Sequence, residues 1–554
     1  MTATSGSGSG SGSGSNSVDS NRKDDRFADL RHRRRRPRTS RRPVRQRSSA
    51  GTRPDPRARM AGGSRISAPY HPLTAIDVLK IHRSALDLLG RVGMASPTPR
   101  VAELAVARGC RIDDRGRLMF PPALLEDIID SAAKRFIVHG RDPAFDFVAV
   151  NGSVNFCTGG AAVTMLDIGT RCYRPSTLTD LYDLSRLCDT LENIQWFTRP
   201  VVATDITDEF ELDVNTVYAS AAGTRKHIAG SLSRGDHVHR LLPLLDELAG
   251  GEGRFSKRPF FTVHATDVVS PMRFSREGLD VICAAIDIGM PVHVQTGPQA
   301  GATAPATLAG TLAQICAEGL ASLAVVNILR PGHPAILGNW AFVTDLRTGA
   351  FTGGSGEAAL LAAASGQMSA FYGVPGGMGA GMSDSKVPDG QSGFEKALTL
   401  CLAALSGSGM VFESAGMLAS LLGCSFESMV IDDEMLSVIR RIARGIEVND
   451  ETLAVEQITE VIDGAGHFLG EPQTLEVMET EFIYPRLSDR LSPDAWILDG
   501  GRDLWDRARE EAVAVLETHY PKYVEADVDD RIRAACPIRL NPVWHRPAGR
   551  REYR

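Results

Sequence analysis

Paired cysteines, strong net charge, long apolar runs and the common nucleotide motifs are all missing from this chain, and each absence removes a class of function. The 554 residues hold nine cysteines, an odd number with none in a CxxC pair. A disulfide framework and a zinc knuckle are therefore excluded, and the scattered thiols read as reduced, buried groups in a cytoplasmic protein. A formal net charge of −6 is small for this length and argues against a nucleic-acid protein. No uninterrupted apolar run reaches the ~18 residues needed to cross a bilayer, and the N-terminus lacks the apolar core of a signal peptide. Neither GxGxxG after a first strand nor a P-loop is found, no GxSxG elbow is present, and no histidine pair has HExxH or HxxxH spacing. The one HxH, His237 to His239, opens an expected helix, where residues two apart diverge, so it reads as a solvated helix start. No protein-bound metal is expected.

What the chain does have is organisation. Residues 1–65 form a Gly/Ser- and Arg-rich leader of linker and charge-run composition, and removing it leaves a markedly acidic body. Residues 66–175 pattern as an α+β cap, with amphipathic helices over 74–90, 98–108 and 122–133 and short strands over 136–138, 145–150 and 154–157. Strands then alternate with helices. The strands are expected at 194–206, 227–231, 259–266, 291–295, 323–329, 370–372 and 410–413. Seven strands separated by helices of this length predict a (β/α)8 barrel core over 176–425, an α/β fold with the eighth strand unplaced and a doubly wound open sheet as the alternative. A helical region over 426–554 completes the barrel.

The densest signal is Gly373 to Ala397, reading GVPGGMGAGMSDSKVPDGQSGFEKA. Glycines that admit close approach of a ligand are followed by a polar run and then a helix, the arrangement of a loop at the carboxyl end of a barrel strand. Other expected strand ends carry Thr204 and Asp205, Ser231 and Ser233, His264 and Asp267, and His293, Gln295 and Thr296. Further along come Asn327, Arg330, His333 and Asn339, then Ser383, Asp384 and Lys386, and last Glu413 and Ser414. Aromatic residues nearby include Trp196, Phe197, Phe261, Trp340, Phe342, Phe371, Tyr372 and Phe412. Aromatic faces can hold an alkylammonium ion by cation–π attraction, although ordinary core packing explains most buried rings.

Several blocks resemble the trimethylamine methyltransferase (MttB) family. They are Val163 to Asp167, Arg174 to Thr177, Asp205, Gly354 to Glu357, Ser383 to Lys386, Asp389, Gln391, Phe394 to Ala397, Ala415 to Leu418 and Ile431 to Glu434. The likeness runs from about 70 to 540. It implies a TIM barrel that moves a methyl group from a methylated amine to the cobalt of a separate corrinoid protein, with no cofactor held tightly by the chain itself. Methanogen members keep pyrrolysine near the end of the glycine-rich segment. Here the neighbourhood reads Gly379-Ala380-Gly381-Met382, so this chain resembles members that demethylate glycine betaine and other quaternary amines.

On that reading His293, Gln295, Met382, Asp384 and Glu413 carry or support the chemistry. Phe261, His264, Arg330, Trp340, Phe371 and Tyr372 line the substrate, and Gly377, Gly379, Gly381 and Ser383 admit the corrinoid. Asp384 and Lys386 brace their loop and Glu413 neutralises the cation. The expected partners are a small methylated amine and a corrinoid protein, with no nucleic acid for the globular body and no membrane; a homo-oligomer fits as well. The alternatives are a trimethylamine enzyme that works without pyrrolysine and a non-catalytic barrel that binds methylamines.

Overall fold

Eight parallel strands close into a barrel in the computed structural model, which describes residues 64–542 apart from 68, 408 and 465. The strands are β1 (Ser153–Cys157), β2 (Ile194–Thr198), β3 (His227–Gly230), β4 (Phe261–Ala265), β5 (Val292–Thr296), β6 (Ala335–Asn339), β7 (Gly376–Gly379) and β8 (Gly409–Phe412). Each pairs in parallel with the next, and β1 pairs with both β2 and β8, which removes every open edge. Each strand is followed by a helix of the outer ring: α1 (Leu178–Thr190), α2 (Glu209–Gly223), α3 (Gly235–Leu248), α4 (Arg276–Asp287), α5 (Leu308–Leu329), α6 (Gly356–Tyr372), α7 (Gly390–Ser406) and α8 (Phe426–Arg444). The fold is a (β/α)8 barrel.

Local chemistry starts and stops these helices. Thr177, Asp208, Ser275, Ser355, Asp389 and Ser425 each accept a backbone N–H of the first turn, the usual satisfaction of a helix start. Helices α6 and α7 end at Gly373 (φ 67°) and Gly407 (φ 75°), left-handed positions that favour glycine.

The structure corrects four expectations. Strand 154–157, assigned to the cap, is β1, and the helix assigned to the carboxy-terminal region is α8, so the barrel spans 153–444. The stretch 323–329 is the second half of α5, not a strand. Leu323, Val325, Val326 and Ile328 are buried on several sides of the helix, and a buried helix and a buried strand share the same apolar pattern. Read whole, α5 is long and apolar enough to cross a membrane, contrary to the sequence expectation, but 89% of its most apolar window is buried in the helix layer. Residues 370–372 end α6, and the glycine-rich tract expected as a loop supplies β7 itself.

The amino-terminal helices Ala75–Arg91, Pro99–Ala107 and Pro122–Ser131 pack on α5. The hairpin Phe136–Val138 and Phe147–Ala149 sends Val138, Phe147 and Ala149 into the barrel interior. There they meet Trp196, Ala229 and Met410 and close the end opposite the carboxyl ends of the strands. Leu504–Thr518 packs on α8 and α1. The leader expected over 1–65 lies outside the described residues except Ser64 and Arg65, which pair antiparallel with Val154 and Ser153 of β1.

Candidate active site

Side chains alternate along each strand, so every second residue enters the barrel. Cys157, Trp196, Ala229, Ile336, Met410 and Phe412 fill the interior as a cluster separate from the main core, and His227, His264 and His293 contribute their rings to it. Toward the closed end, His227 Nδ1 lies 2.6 Å from the His139 carbonyl and Nε2 lies 2.9 Å from Thr262 Oγ1. A carbonyl only accepts, so Nδ1 donates and Nε2 accepts from the hydroxyl, a neutral imidazole, and burial holds its pKa down at about 3.

Toward the mouth the packing leaves polar atoms unanswered. His293 stacks on Phe412 at 4.4 Å, meets His264 edge-on at 4.5 Å and faces Trp340 at 5.8 Å. Both ring nitrogens of His293, Nε2 of His264, Nε1 of Trp340 and Oε2 of Glu413 are buried without a hydrogen-bond partner among the described residues. Buried polar groups are normally paired, so a cluster of this kind marks a place for a ligand or ordered water. Burial also sets the charge states. It lowers the His293 pKa to about 3 and the His264 pKa well below the ordinary range, the latter with help from His293, His227 and Arg199. Burial alone raises Glu413 to about 8. At neutral pH the floor of the mouth is thus two neutral imidazoles, an indole and a largely protonated carboxyl.

Glycines make this arrangement possible. A Cβ on Gly338 would sit 2.5 Å from His293 Nε2, and one on Gly377 would sit 2.7 Å from Phe412 Cε2 and 2.9 Å from Ile336 Cγ2. A Cβ on Gly379 would lie 3.1 Å from the Trp340 ring and 3.3 Å from Glu413 Oε2, so that glycine separates the indole from the carboxyl. The glycines of β7 therefore serve ring packing inside the barrel, where the sequence pointed to a ligand-admitting loop. Glu413, at the end of β8, takes φ 62°, a strained position for a residue with a side chain.

The expected site residues separate into three groups. The structure brings together His264, His293, Trp340, Glu413, Gly377 and Gly379. Gln295, half-buried, follows on the same face of β5 one pleat nearer the mouth than His293. A second group surrounds the mouth as bracing. Asp384 accepts from Thr352 Oγ1, the Gly353 N–H and Ser420 Oγ at 2.5 to 2.9 Å, and Lys386 donates to the Asp384 carbonyl. Ser383 Oγ donates to Glu395 at 2.7 Å, Gly381 N–H donates to Thr399, and Met382 is buried against Gly353.

The third group lies elsewhere. Arg330 caps the carboxyl end of α5 and is exposed at the amino end of β6, because the strand it was thought to follow is helical. Phe371 and Tyr372 end α6 at the amino end of β7, where both rings pack on His82 at 5.2 and 5.7 Å. Phe261 opens β4 and belongs to the core between strands and helices. Similarly β2 ends at Thr198 rather than at 206, so Asp205 is no strand-end residue; it accepts the Leu178 N–H at the start of α1. The reading of His237 as solvated also fails, since it is buried and Nδ1 lies 2.7 Å from Asp213, whereas His239 is exposed.

The residue missed by sequence reasoning is Arg199, immediately after β2. Burial lowers its pKa against the opposing pull of Asp213, and no hydrogen bond or ion pair is made by its guanidinium among the described residues. A correct end for β2 would have pointed to it. Trp196, which meets His264, His227 and Phe412 edge-on, was legible only as a nearby aromatic.

A model of the trimethylamine methyltransferase (MTTB) family matches residues 34–539. The chain belongs to that family. It is 30% identical over 459 residues to trimethylamine methyltransferase MttB of Desulfitobacterium hafniense, covering 83% of this chain and 92% of the relative. It is 32% identical over 475 residues to MttB1 of Methanosarcina acetivorans, covering 85% and 95%. It is 28% identical over 466 residues to the glycine betaine methyltransferase of Desulfitobacterium hafniense, covering 84% and 96%. The crystal structure of the Methanosarcina barkeri monomethylamine methyltransferase aligns at a TM-score of 0.40 and 12% identity, covering 81% of this chain and 96% of that one.

The blocks on which the family resemblance rests are mainly braces in this fold. Arg174 joins Asp167 and Asp180 at 2.5 to 2.7 Å, holding the start of α1. Glu395 accepts from Ser383, the Asp384 N–H and Gln391, fixing the loop after β7. Its neighbour Lys396, fully buried, donates to Asp432 at 2.6 Å and Ser428 at 2.7 Å, and Asp432 accepts the Gly416 N–H, fixing the loop after β8. Two adjacent residues of α7 thus clamp the loops on either side of Glu413. Among the described residues no group of three or more His, Cys, Asp or Glu side chains is gathered as a metal site.

Proposed function

We propose that this methyltransferase takes a methyl group from a quaternary ammonium of betaine type and gives it to the Co(I) of a corrinoid carried by a partner protein. The observation that carries the reading is the pairing of Trp340 with Glu413 across Gly379, beside His293 and Phe412. An indole face attracts an alkylammonium by as much as ~2 kcal/mol when water is excluded. A buried carboxyl next to it supplies the countercharge once ionised. The neutral imidazoles of His264 and His293 add no repulsion to a cation, which protonated ones would.

The reacting bond is N–CH3. Co(I) supplies the electron pair that forms the new Co–C bond, and the N–C pair stays on nitrogen, which departs as a neutral tertiary amine. The chain's part is to hold the donor in line and dry, an advantage of orientation rather than of acid–base chemistry. Gln295, one pleat above His293, suits the polar end of a betaine, and Arg199, which makes no side-chain hydrogen bond among the described residues, suits a carboxylate. Nine free cysteines suit a reducing cytoplasm.

The test follows the cobalt spectrum. The protein is mixed with a reduced corrinoid protein and a panel of betaines, tetramethylammonium and trimethylamine, and conversion of Co(I) to methyl-Co(III) is recorded. Conversion with quaternary donors supports the proposal. Conversion with trimethylamine alone favours the second reading, which rests on the names of the similar trimethylamine enzymes. Binding without conversion would leave a methylamine-binding barrel.

A further inference from the structure

Trp340 and Arg199 hold matching places on opposite strands, each being the first residue beyond its strand. Trp340 follows β6 and Arg199 follows β2, and in a closed ring of eight those two strands stand across the barrel from each other. The candidate ammonium site, Trp340 with Glu413 across Gly379, lies on the β7 side, whereas the Arg199 N–H donates to the Ala229 carbonyl of β3 at 3.1 Å on the far side. Arg199 is half-buried, and its charge reaches the interior, where it helps hold the His264 ring neutral. Asp213, in the second turn of α2, attracts that guanidinium but makes no hydrogen bond to it among the described residues. Its own oxygens are engaged elsewhere. Oδ2 accepts the Ser233 N–H at 2.9 Å and lies 2.7 Å from His237 Nδ1 in the first turn of α3, and Oδ1 accepts from Ser233 Oγ at 3.0 Å. A carboxylate only accepts, so His237 Nδ1 donates.

We infer that Ser233, Asp213 and His237 act as one unit that keeps Arg199 open as the anchor for a substrate carboxylate, and that the site thereby selects zwitterionic donors over ammonium ions without a carboxylate. The inference rests on the methyl-transfer reading of this mouth and narrows its substrate class. A carboxylate already tied to three donors pulls on a guanidinium without closing an ion pair, so the planar fork stays available for two parallel hydrogen bonds to a ligand carboxylate. Strand order then sets the pose. The trialkylammonium end lies against Trp340 and Glu413, the chain of the donor crosses above His264 and His293, and the carboxylate ends at Arg199. A donor of cation alone leaves the guanidinium half-buried and unanswered, a cost that a zwitterion removes. Arg199 contacts substrate on this reading, whereas Asp213 and His237 are positioning residues that act through it.

The test is the ratio of affinities for glycine betaine and choline, which share a trimethylammonium head and differ in the carboxylate, measured on the full-length protein by isothermal titration calorimetry. Wild type is expected to bind the betaine ~30-fold or more tightly than choline, the scale on which a desolvated charge pair discriminates. Arg199→Met is expected to bring the ratio close to one. Arg199→Lys, which keeps the charge and loses the planar fork, is expected to fall between. His237→Phe frees an acceptor on Asp213 that can capture the guanidinium, so it is expected to raise the betaine KM in methyl transfer with kcat near that of wild type. His237→Asn, whose amide can still donate to Asp213, is expected to restore the KM. A wild-type ratio near one, an Arg199→Met variant that weakens betaine and choline equally, or a His237→Phe variant that lowers kcat and leaves KM alone would overturn the inference. A wild type that binds neither ammonium would overturn the methyl-transfer reading with it, whereas methyl transfer from betaine and choline with equal efficiency would overturn this inference alone.

Discussion

Binding of a quaternary ammonium at the barrel mouth should expel a proton from Glu413. The carboxyl is 2% exposed, its Oε2 has no hydrogen-bond partner among the described residues, and burial alone lifts its pKa to about 8. Gly159 and Gly379 lie close against the side chain, and no charged neighbour contributes to the shift. At pH 7 the carboxyl is therefore about nine-tenths protonated, and ionising it costs about 1 kcal/mol. A cation ~4 Å away contributes ~4 kcal/mol at an effective dielectric of ~20, enough to lower the pKa by ~3 units, to near 5. Close to one proton leaves per cation bound at pH 7.

Affinity then depends on pH with a definite sign. It rises about tenfold from pH 6 to 7, about tenfold again from pH 7 to 9, and levels off above the free carboxyl's pKa. Isothermal titration calorimetry with tetramethylammonium and with glycine betaine, in buffers of different ionisation enthalpy, counts the proton directly. Glu413→Gln should abolish the proton release and flatten the profile. A dissociation constant that stays the same from pH 6 to 9, with no proton released, would refute the assignment of Glu413 as countercharge while leaving methyl transfer itself open.

Gly377→Ala should destabilise the fold by about 1–3 kcal/mol and lower the melting temperature, because its Cβ meets Phe412 and Ile336 below van der Waals contact; an unchanged melting curve would mean that β7 yields freely. Lys396→Met leaves Asp432 buried without its cation and should cost about 3–5 kcal/mol in urea denaturation, much of it recovered by adding Asp432→Leu. Failure of the double variant to recover would show that Asp432 acts mainly through the Gly416 N–H. Acid should weaken the fold through buried His227 and His293, whose folded pKa values near 3 lie below the unfolded value of about 6.5. Unfolded chains take up those protons first, so each histidine removes about 1 kcal/mol of stability per pH unit as pH falls from 6.5 toward 3. Replacing His293 with Phe should shallow that slope, as read by chemical denaturation at several pH values.

The alternation of elements, and the family, were legible without coordinates. Strands β3, β4, β5 and β8 stood out because short apolar runs lie between longer helical stretches. Three others were obscured for separate reasons. Strand β7 is made of glycine, which has no side chain to betray a strand, and α5 is apolar all round, so half of it resembled a strand. Strand β1 follows a hairpin and looked like part of a cap. Each error moved candidate residues, since a strand end set a few positions wrong names the wrong side chains. Arg330, Phe371 and Tyr372 were lost that way, and Arg199 was hidden by extending β2 to 206.

Sequence by itself determined that this chain is a barrel of the trimethylamine methyltransferase family, because hydrophobic period, caps and shared blocks are local properties that survive in one dimension. It also isolated His293, Trp340 and Glu413 as polar or aromatic residues near strand ends. Only the tertiary structure decided that these three meet, that the shared blocks are braces, and that the glycines exist to let rings and a carboxyl crowd into the barrel's interior. Whether a carboxyl is charged depends on the water it has lost. Burial of that kind is a property of three dimensions, contributed by residues far apart along the chain.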